Sequence, residues 1–270
     1  MRVCKGSSVG TAALAALVLC LTLVRPTSAM SQLACAILPG VEVVAAGVTA
    51  GGTLLAADGV EVVLAGLAFP QDADTASESH GPTAAAEAVT RLAKGPLRIA
   101  PEGPPDRYGR LHANAYLPDG RWLQEELVAA GLALVRPEGG IGDCVLTLLK
   151  REAAARASGA GFWADSNFLV KRTDDSSLLA RNGLYDLVEG RVVSVGYGSR
   201  MVFLDFGRNF RTDFTVMVPN SLVPRLLEAG IALETLEGRP VRVRGVIEDS
   251  GGPAIRIADP FALEILDRAE

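Results

Sequence analysis

From Val41 to Val63 the chain runs in short stretches of Val, Leu and Ala, broken by Gly47, Gly51-Gly52 and Asp58-Gly59. Runs of that length between glycines read as a meander of strands with tight turns, and Asp58-Gly59 is the strongest hairpin signal in the chain. After Pro70 the composition shifts to Asp, Ser and Thr through His80, which reads as a loop. Pro82 then opens an alanine-rich helix to about Lys94, closed by Gly95-Pro96, as the preference for Pro at a helix start and Gly past its end requires. Strands are expected near Leu97 to Ala100 and Leu111 to Leu117. Helices are expected over Arg121 to Ala130, stopped by Gly131, and over Thr147 to Ser158, ending at Gly159 or Gly161. Strands curled into a small barrel with helices packed on it fit an oligonucleotide-binding barrel.

The pattern then restarts. Ser166 to Asn182 is polar and reads as a linker with a short helix near Leu178 to Arg181. Beyond Leu184, Val188 to Val195, Met201 to Phe206, Phe214 to Val218, Val241 to Ile247 and Ala254 to Ile257 are strand candidates, with a helix over Ser221 to Ala229 between the third and fourth. The same barrel order is expected here, although no internal sequence repeat supports a duplication. The fold class is therefore mainly β with packed helices, two small barrels in tandem: residues 36–165, a linker over 166–183, and residues 184–270.

Residues 1–29 carry Arg2 and Lys5, an apolar run from about Thr11 to Val24, and Pro26-Thr27-Ser28-Ala29, whose small residues suit a signal peptidase. The run is shorter than the roughly 20 residues that cross a bilayer, so a cleaved signal and a periplasmic or secreted product are expected. Cleavage removes Arg2, Lys5 and Arg25 and no acid, taking the formal net charge from -5 to -8. An acidic product is no general magnet for nucleic acid, because nonspecific binding depends on Lys and Arg releasing phosphate counterions. Cleavage also leaves two of the 4 cysteines, Cys35 and Cys144, expected to pair in an oxidising compartment. Such a bridge would close a loop of about 110 residues and stabilise the fold by about 4 to 5 kcal/mol on the chain-entropy estimate.

The segment Asp106-Arg107-Tyr108-Gly109-Arg110-Leu111, followed by Ala113-Asn114-Ala115-Tyr116-Leu117, Asp119-Gly120 and Leu127-Val128-Ala129-Ala130-Gly131-Leu132-Ala133, resembles the staphylococcal-nuclease (thermonuclease-like) family. Gly81-Pro82 and Gly161-Phe162-Trp163-Ala164 are similar to that family's helix start and domain ending. The resemblance covers about Val41 to Asp165 and implies the oligonucleotide-binding barrel. The tail resembles the extra domain of many exported bacterial members, notably at Asp205-Phe206-Gly207 and Thr212-Asp213-Phe214-Thr215.

The resemblance implies phosphodiester hydrolysis by carboxylate-held calcium, a general base and two arginines that neutralise the phosphate. This chain departs from that set. Where the family has Asp-Gly-Asp-Thr, here stands Ala50-Gly51-Gly52-Thr53; Gly52 replaces a metal ligand. Val63 replaces the first arginine, Ala68 the second metal ligand and Gln71 the presumed base, while Pro70 is kept. Arg110 is the sole matching catalytic position, and its turn and strand suffice to explain it. Losing one electrostatic donor commonly costs about 2.7 to 4 kcal/mol, so these losses together predict no hydrolysis and no bound metal. Calcium enters only if Asp72, Asp74, Glu61 and Asp58 form a displaced site. His80 and His112, the only histidines, are too few for zinc unless acids join them.

In the second barrel, Arg208-Asn209-Phe210-Arg211 mixes cations with an aromatic, as single-strand binders do. Arg242 and Arg244 share a face at period two, an exposed stripe paired with nearby acids when no ligand is bound. Arg208, Phe210, Arg211, Arg242 and Arg244 are the candidate nucleic-acid contacts, whereas Phe203, Phe206 and Phe214 are expected in the core. The functional expectation is an exported binding module for single-stranded nucleic acid or an envelope protein. The alternatives are an active calcium-dependent phosphodiesterase and a structural module of the envelope.

Overall fold

A computed structural model describes residues 39–49, 52–70, 82–92, 94–137, 144–165, 170–209 and 212–266. The first half contains β1 (Val41–Val43), β2 (Ala45–Val48), β3 (Leu54–Ala56), β4 (Glu61–Leu64), β5 (Leu67–Ala68) and α1 (Pro82–Leu92). It continues with β6 (Leu97–Pro101), β7 (Leu111–Tyr116), α2 (Leu123–Ala129), β8 (Leu134–Val135) and α3 (Cys144–Ser158). β1 and β2 form one strand kinked at Val44. Its first part pairs with β6 and its second with β3, so one strand serves both edges of the sheet. β3 pairs with β4, β4 runs parallel to β7, and β7 returns antiparallel to β6, which closes the barrel.

The second half contains β9 (Lys171–Arg172), β10 (Tyr185–Arg191), β11 (Ser194–Tyr197), β12 (Met201–Asp205), β13 (Thr215–Pro219), α4 (Val223–Glu228), β14 (Pro240–Asp249), β15 (Pro253–Arg256) and β16 (Leu263–Ile265). β10 and β11 are again successive parts of one course of chain, the first paired with β14 and the second with β12. β12 pairs with β13, β13 runs parallel to β15, and β15 returns antiparallel to β14. Strand for strand this is the connectivity of the first barrel, with α1 and α4 each inserted between the third and fourth strands. The expected tandem of small barrels is thus observed.

Alternation places the cores. Val62 and Leu64 of β4 and Ala113 and Ala115 of β7 are buried in the first barrel; Val202 and Leu204 of β12 and Val216 and Val218 of β13 are buried in the second. α2 buries Leu123, Gln124, Leu127 and Val128, one face at helical spacing. The Gln124 amide is satisfied there, donating to the Ala113 carbonyl at 3.1 Å and accepting from the Ala115 N–H at 3.2 Å. It ties α2 to β7 without leaving a polar group orphaned.

Several expectations change. α3 begins at Cys144 rather than Thr147, and β9 and β16 are additional strands. The segment read as a linker is partly built into the second barrel: β9 pairs parallel with β10, and Leu178, in the 3₁₀ turn Leu178–Arg181, is fully buried in its core. Phe214 is core and Phe206 packs against it, but Phe203 alternates with Val202 and Leu204 and faces outward. Arg242 and Arg244 are not an exposed stripe. Both are covered where β14 meets the first barrel and β16.

That junction combines an apolar and an ionic part. Leu134 and Phe162 of the first barrel pack with Leu187 of the second. Beside them Arg244, 1% exposed, pairs with Glu152 of α3, also 1% exposed, at 2.8 Å, and with Glu264 of β16. Arg244 Nη1 also donates to the Val135 carbonyl at 3.1 Å, and Glu152 Oε1 accepts from the Val135 N–H at 2.7 Å. Burial pushes the Glu264 carboxyl up, but the charge and hydrogen bond of Arg244, with Arg242 and Arg156 behind it, hold it below its ordinary value. Arg242 bridges Glu189 and Glu264, at 2.6 Å and 3.0 Å.

Removing one member of such a set leaves a buried charge without its partner. Glu152→Ala is expected to lower the unfolding free energy by about 3 to 5 kcal/mol, read from urea denaturation. A loss below 1 kcal/mol, the range of exposed pairs, would show that the network is solvated in solution.

Candidate functional site

The turn between β2 and β3 brings Gly52 and Thr53 beside Val63 of β4 and Ala68 of β5. Gly52 donates to the Thr49 carbonyl at 2.9 Å and holds φ at 79°, a left-handed value. The tight turn ending in Arg110 supplies the next wall. Arg136, just past β8, supplies another and is fixed by its N–H donating to the Gly66 carbonyl at 2.7 Å. The second barrel completes the enclosure with Leu184, Tyr185 and Val246. The resulting pocket has a volume of about 330 Å³.

Four sequence-derived positions, Gly52, Val63, Ala68 and Arg110, therefore converge on one pocket. Gln71, Asp72, Asp74 and His80 lie outside the described residues. Among the described residues no carboxylate lines the pocket, and no group of three or more His, Cys, Asp and Glu could hold a metal ion. Glu61 acts on Arg110 only through its field. A further obstacle is steric. A side chain at position 52 would collide with the ring of Phe69, so the space it would need is already filled.

Arg110 is held by Asp106, four residues earlier. Its Nε and Nη2 donate to Asp106 Oδ2 at 2.9 and 2.8 Å, and Asp106 Oδ1 accepts the backbone N–H groups of Tyr108 and Arg110 at 2.9 and 3.0 Å. His112 Nε2 stands 3.4 Å from the same Oδ2. Burial pushes the Asp106 carboxyl up. The hydrogen bonds from Arg110 and Tyr108 outweigh it and hold the group well below the usual carboxylate range. The guanidinium lies over the Tyr108 ring at 5.1 Å. These contacts account for Arg110 by the turn it closes, yet a guanidinium carries five N–H donors and two are used here.

Sequence reasoning missed Arg136, Phe69 and Tyr185. Arg136 is a lone cation directly after the buried run Ala133-Leu134-Val135, which is the one signal available. Its guanidinium stands 5.5 Å from the Tyr185 ring, whose hydroxyl donates to the Val135 carbonyl at 3.0 Å. Of the five candidate nucleic-acid contacts on the second barrel, Arg208 is exposed. Arg242 and Arg244 are sequestered by glutamates, and Phe210 and Arg211 lie outside the described residues.

A barrel of this connectivity, with its helix after the third strand and a cleft at the β2–β3 turn, invites comparison with known families. Residues 61–165 match the family model for the staphylococcal nuclease homologue. That match supports a staphylococcal nuclease-like fold for this part of the chain. The match runs from β4 to the end of the turn Gly161–Ala164, and the hairpin strands before it complete the same barrel. A search of characterised proteins gives no match.

The Phe69 ring leaves no room for a side chain at position 52. Gly52→Ala is expected to destabilise the protein by about 1 to 3 kcal/mol, from a left-handed φ and from displacement of Phe69. In the Phe69→Ala background the same change should cost less, by a coupling measurable in a double-mutant thermal denaturation cycle. Equal costs in both backgrounds would remove Phe69 as the obstacle.

Proposed function

We propose that the nuclease-like cleft binds a phosphate-bearing ligand, single-stranded nucleic acid first among them, without hydrolysing it. The observation that carries this reading is a pocket lined by two guanidiniums, Arg110 and Arg136, and by no described carboxylate. Guanidiniums recognise phosphate through planar, charge-assisted hydrogen bonds, and they retain that ability when metal and base are gone. Hydrolysis needs more. Each 1.36 kcal/mol of lost transition-state stabilisation is about tenfold in rate, and the missing ligands, base and first arginine each supply several times that. No metal enters this function. The second barrel narrows the cleft through Tyr185 and Leu184, which favours a flexible single strand over a duplex.

The test is incubation of the purified protein with single-stranded DNA and calcium, beside a gel shift on the same strand in EDTA. The expected result is a salt-sensitive shift without cleavage, weakened about tenfold by Arg110→Ala with Arg136→Ala. Calcium-dependent cleavage would overturn the reading. Neither cleavage nor shift would also overturn it and leave an envelope protein as partner.

Export of the chain with a cleaved signal belongs to the same proposal. Cys144, at the start of α3, is disulfide-bonded, and Cys35 lies outside the described residues. We assign the bridge to Cys35 and Cys144, the two cysteines left after the signal. A thiol count on the unreduced, processed protein should find none free; two free thiols would rule the pairing out.

A further inference from the structure

The outer face of the second barrel carries two cross-strand rows that the core does not use. One runs Gly196, Phe203, Met217, Arg256 across β11, β12, β13 and β15, with Arg256 paired to Glu248; the next runs Ser194, Asp205, Thr215, Ala254 over the same strands. Gly196 and Gly198 leave room for the Phe203 side chain, and a side chain at Gly198 would press on its ring. Over these rows lies a recess of about 290 Å³ with Phe203, Met217, Pro253 and Ala254 as its apolar floor and Asp205 and Asp213 at its edge. It continues past Asp213, Gly252 and Pro253 into a second recess of about 510 Å³, where Asp174, Asp175 and Asp249 add to the rim.

Among the described residues no Lys or Arg lines either recess. The carboxylates are held mainly by neutral donors. Asp205 accepts from the Thr215 hydroxyl at 3.2 Å, Asp213 from the Asn209 N–H at 2.8 Å, Asp175 from Ser177 and Asp249 from the Gly251 N–H. Asp174 is the one rim carboxylate described here with an ion pair, to Arg172. Its described residues therefore present an apolar floor and an acidic rim, a locally negative field with Arg256 at the end of the Phe203 row. Barrels of this kind hold oligonucleotides on this face, and here that field repels a phosphate backbone.

We propose that this trough docks an extended segment of a partner protein in which Lys or Arg alternates with apolar side chains. Alternate side chains of an extended strand point to opposite sides, so one set can fill the floor while the other reaches the rim. Charge complementarity selects the partner, and Phe203 and Met217 supply the buried contact that area and aromatic character make effective. The proposal concerns a surface separate from the nuclease-like cleft and holds whichever way that cleft is resolved.

The test is fluorescence anisotropy of a labelled ten-residue peptide alternating Lys and Leu, with a Glu and Leu peptide of equal length as control. The protein should bind the cationic peptide in a salt-sensitive manner and ignore the anionic one. Asp205→Asn with Asp213→Asn should weaken binding about tenfold, and so should Phe203→Ser, which leaves the core residues Val202 and Leu204 in place. Glu234→Gln with Glu237→Gln, equal in charge removed but elsewhere, should leave affinity unchanged. Equal loss in that control pair, no loss in Phe203→Ser, or no binding of the cationic peptide would each overturn the proposal. If the aspartate pair fails to fold by circular dichroism, Phe203→Ser and the control pair decide.

Discussion

The arrangement of the two barrels turns on a single cation buried from solvent. Arg244 stands in the middle of β14, and its acceptors come from α3, from β16 and from the carbonyl that ends β8. Those groups are far apart in the chain, and they meet at one point only in one orientation of the barrels. Rotating either barrel would strand the guanidinium, at a cost of several kcal/mol. The same orientation holds Tyr185 over Arg136 and places Leu184 and Val246 against the cleft of the first barrel. The shape of the pocket is therefore a property of the pair, set by a contact some distance from it.

The two barrels share a connectivity that their sequences do not share. In each, one kinked course of chain supplies both edges of the sheet, the third and fifth strands run parallel, and a helix fills the gap before the fourth. Strand positions and most helix positions are legible because glycines and prolines punctuate runs of β-branched and apolar residues at strand length. The kinks at Val44 and after Arg191 are not, because a strand that changes partners keeps its composition. β16 escapes for a related reason: three residues near the chain end carry too short a pattern to show a period.

The site divides along similar lines. Gly52, Val63, Ala68 and Arg110 can be placed from the order of the segments, since each sits at a turn or strand whose neighbours are distinctive. Arg136 and Tyr185 enter through tertiary contact alone. The arginines of β14 show the limit most clearly. Alternation assigns Arg242 and Arg244 to one face, and charge on a strand face ordinarily means solvent; what reverses this is Glu152, a carboxylate at the position of α3 where the helical period calls for an apolar side chain. Phe203 is the converse case, an aromatic in a continuous apolar run where only the register with Val216 and Val218 decides the face.

Gly52 and Phe69 also limit which side chains the cleft can accept. A carboxylate at position 52 alone would have to push the Phe69 ring out of the cleft, and Phe69 alone cannot be trimmed without opening a gap in the wall. Neither single change is profitable by itself. A side chain at position 52 and the ring at position 69 are therefore alternatives for one volume, a valve built from an aromatic ring and the absence of one side chain.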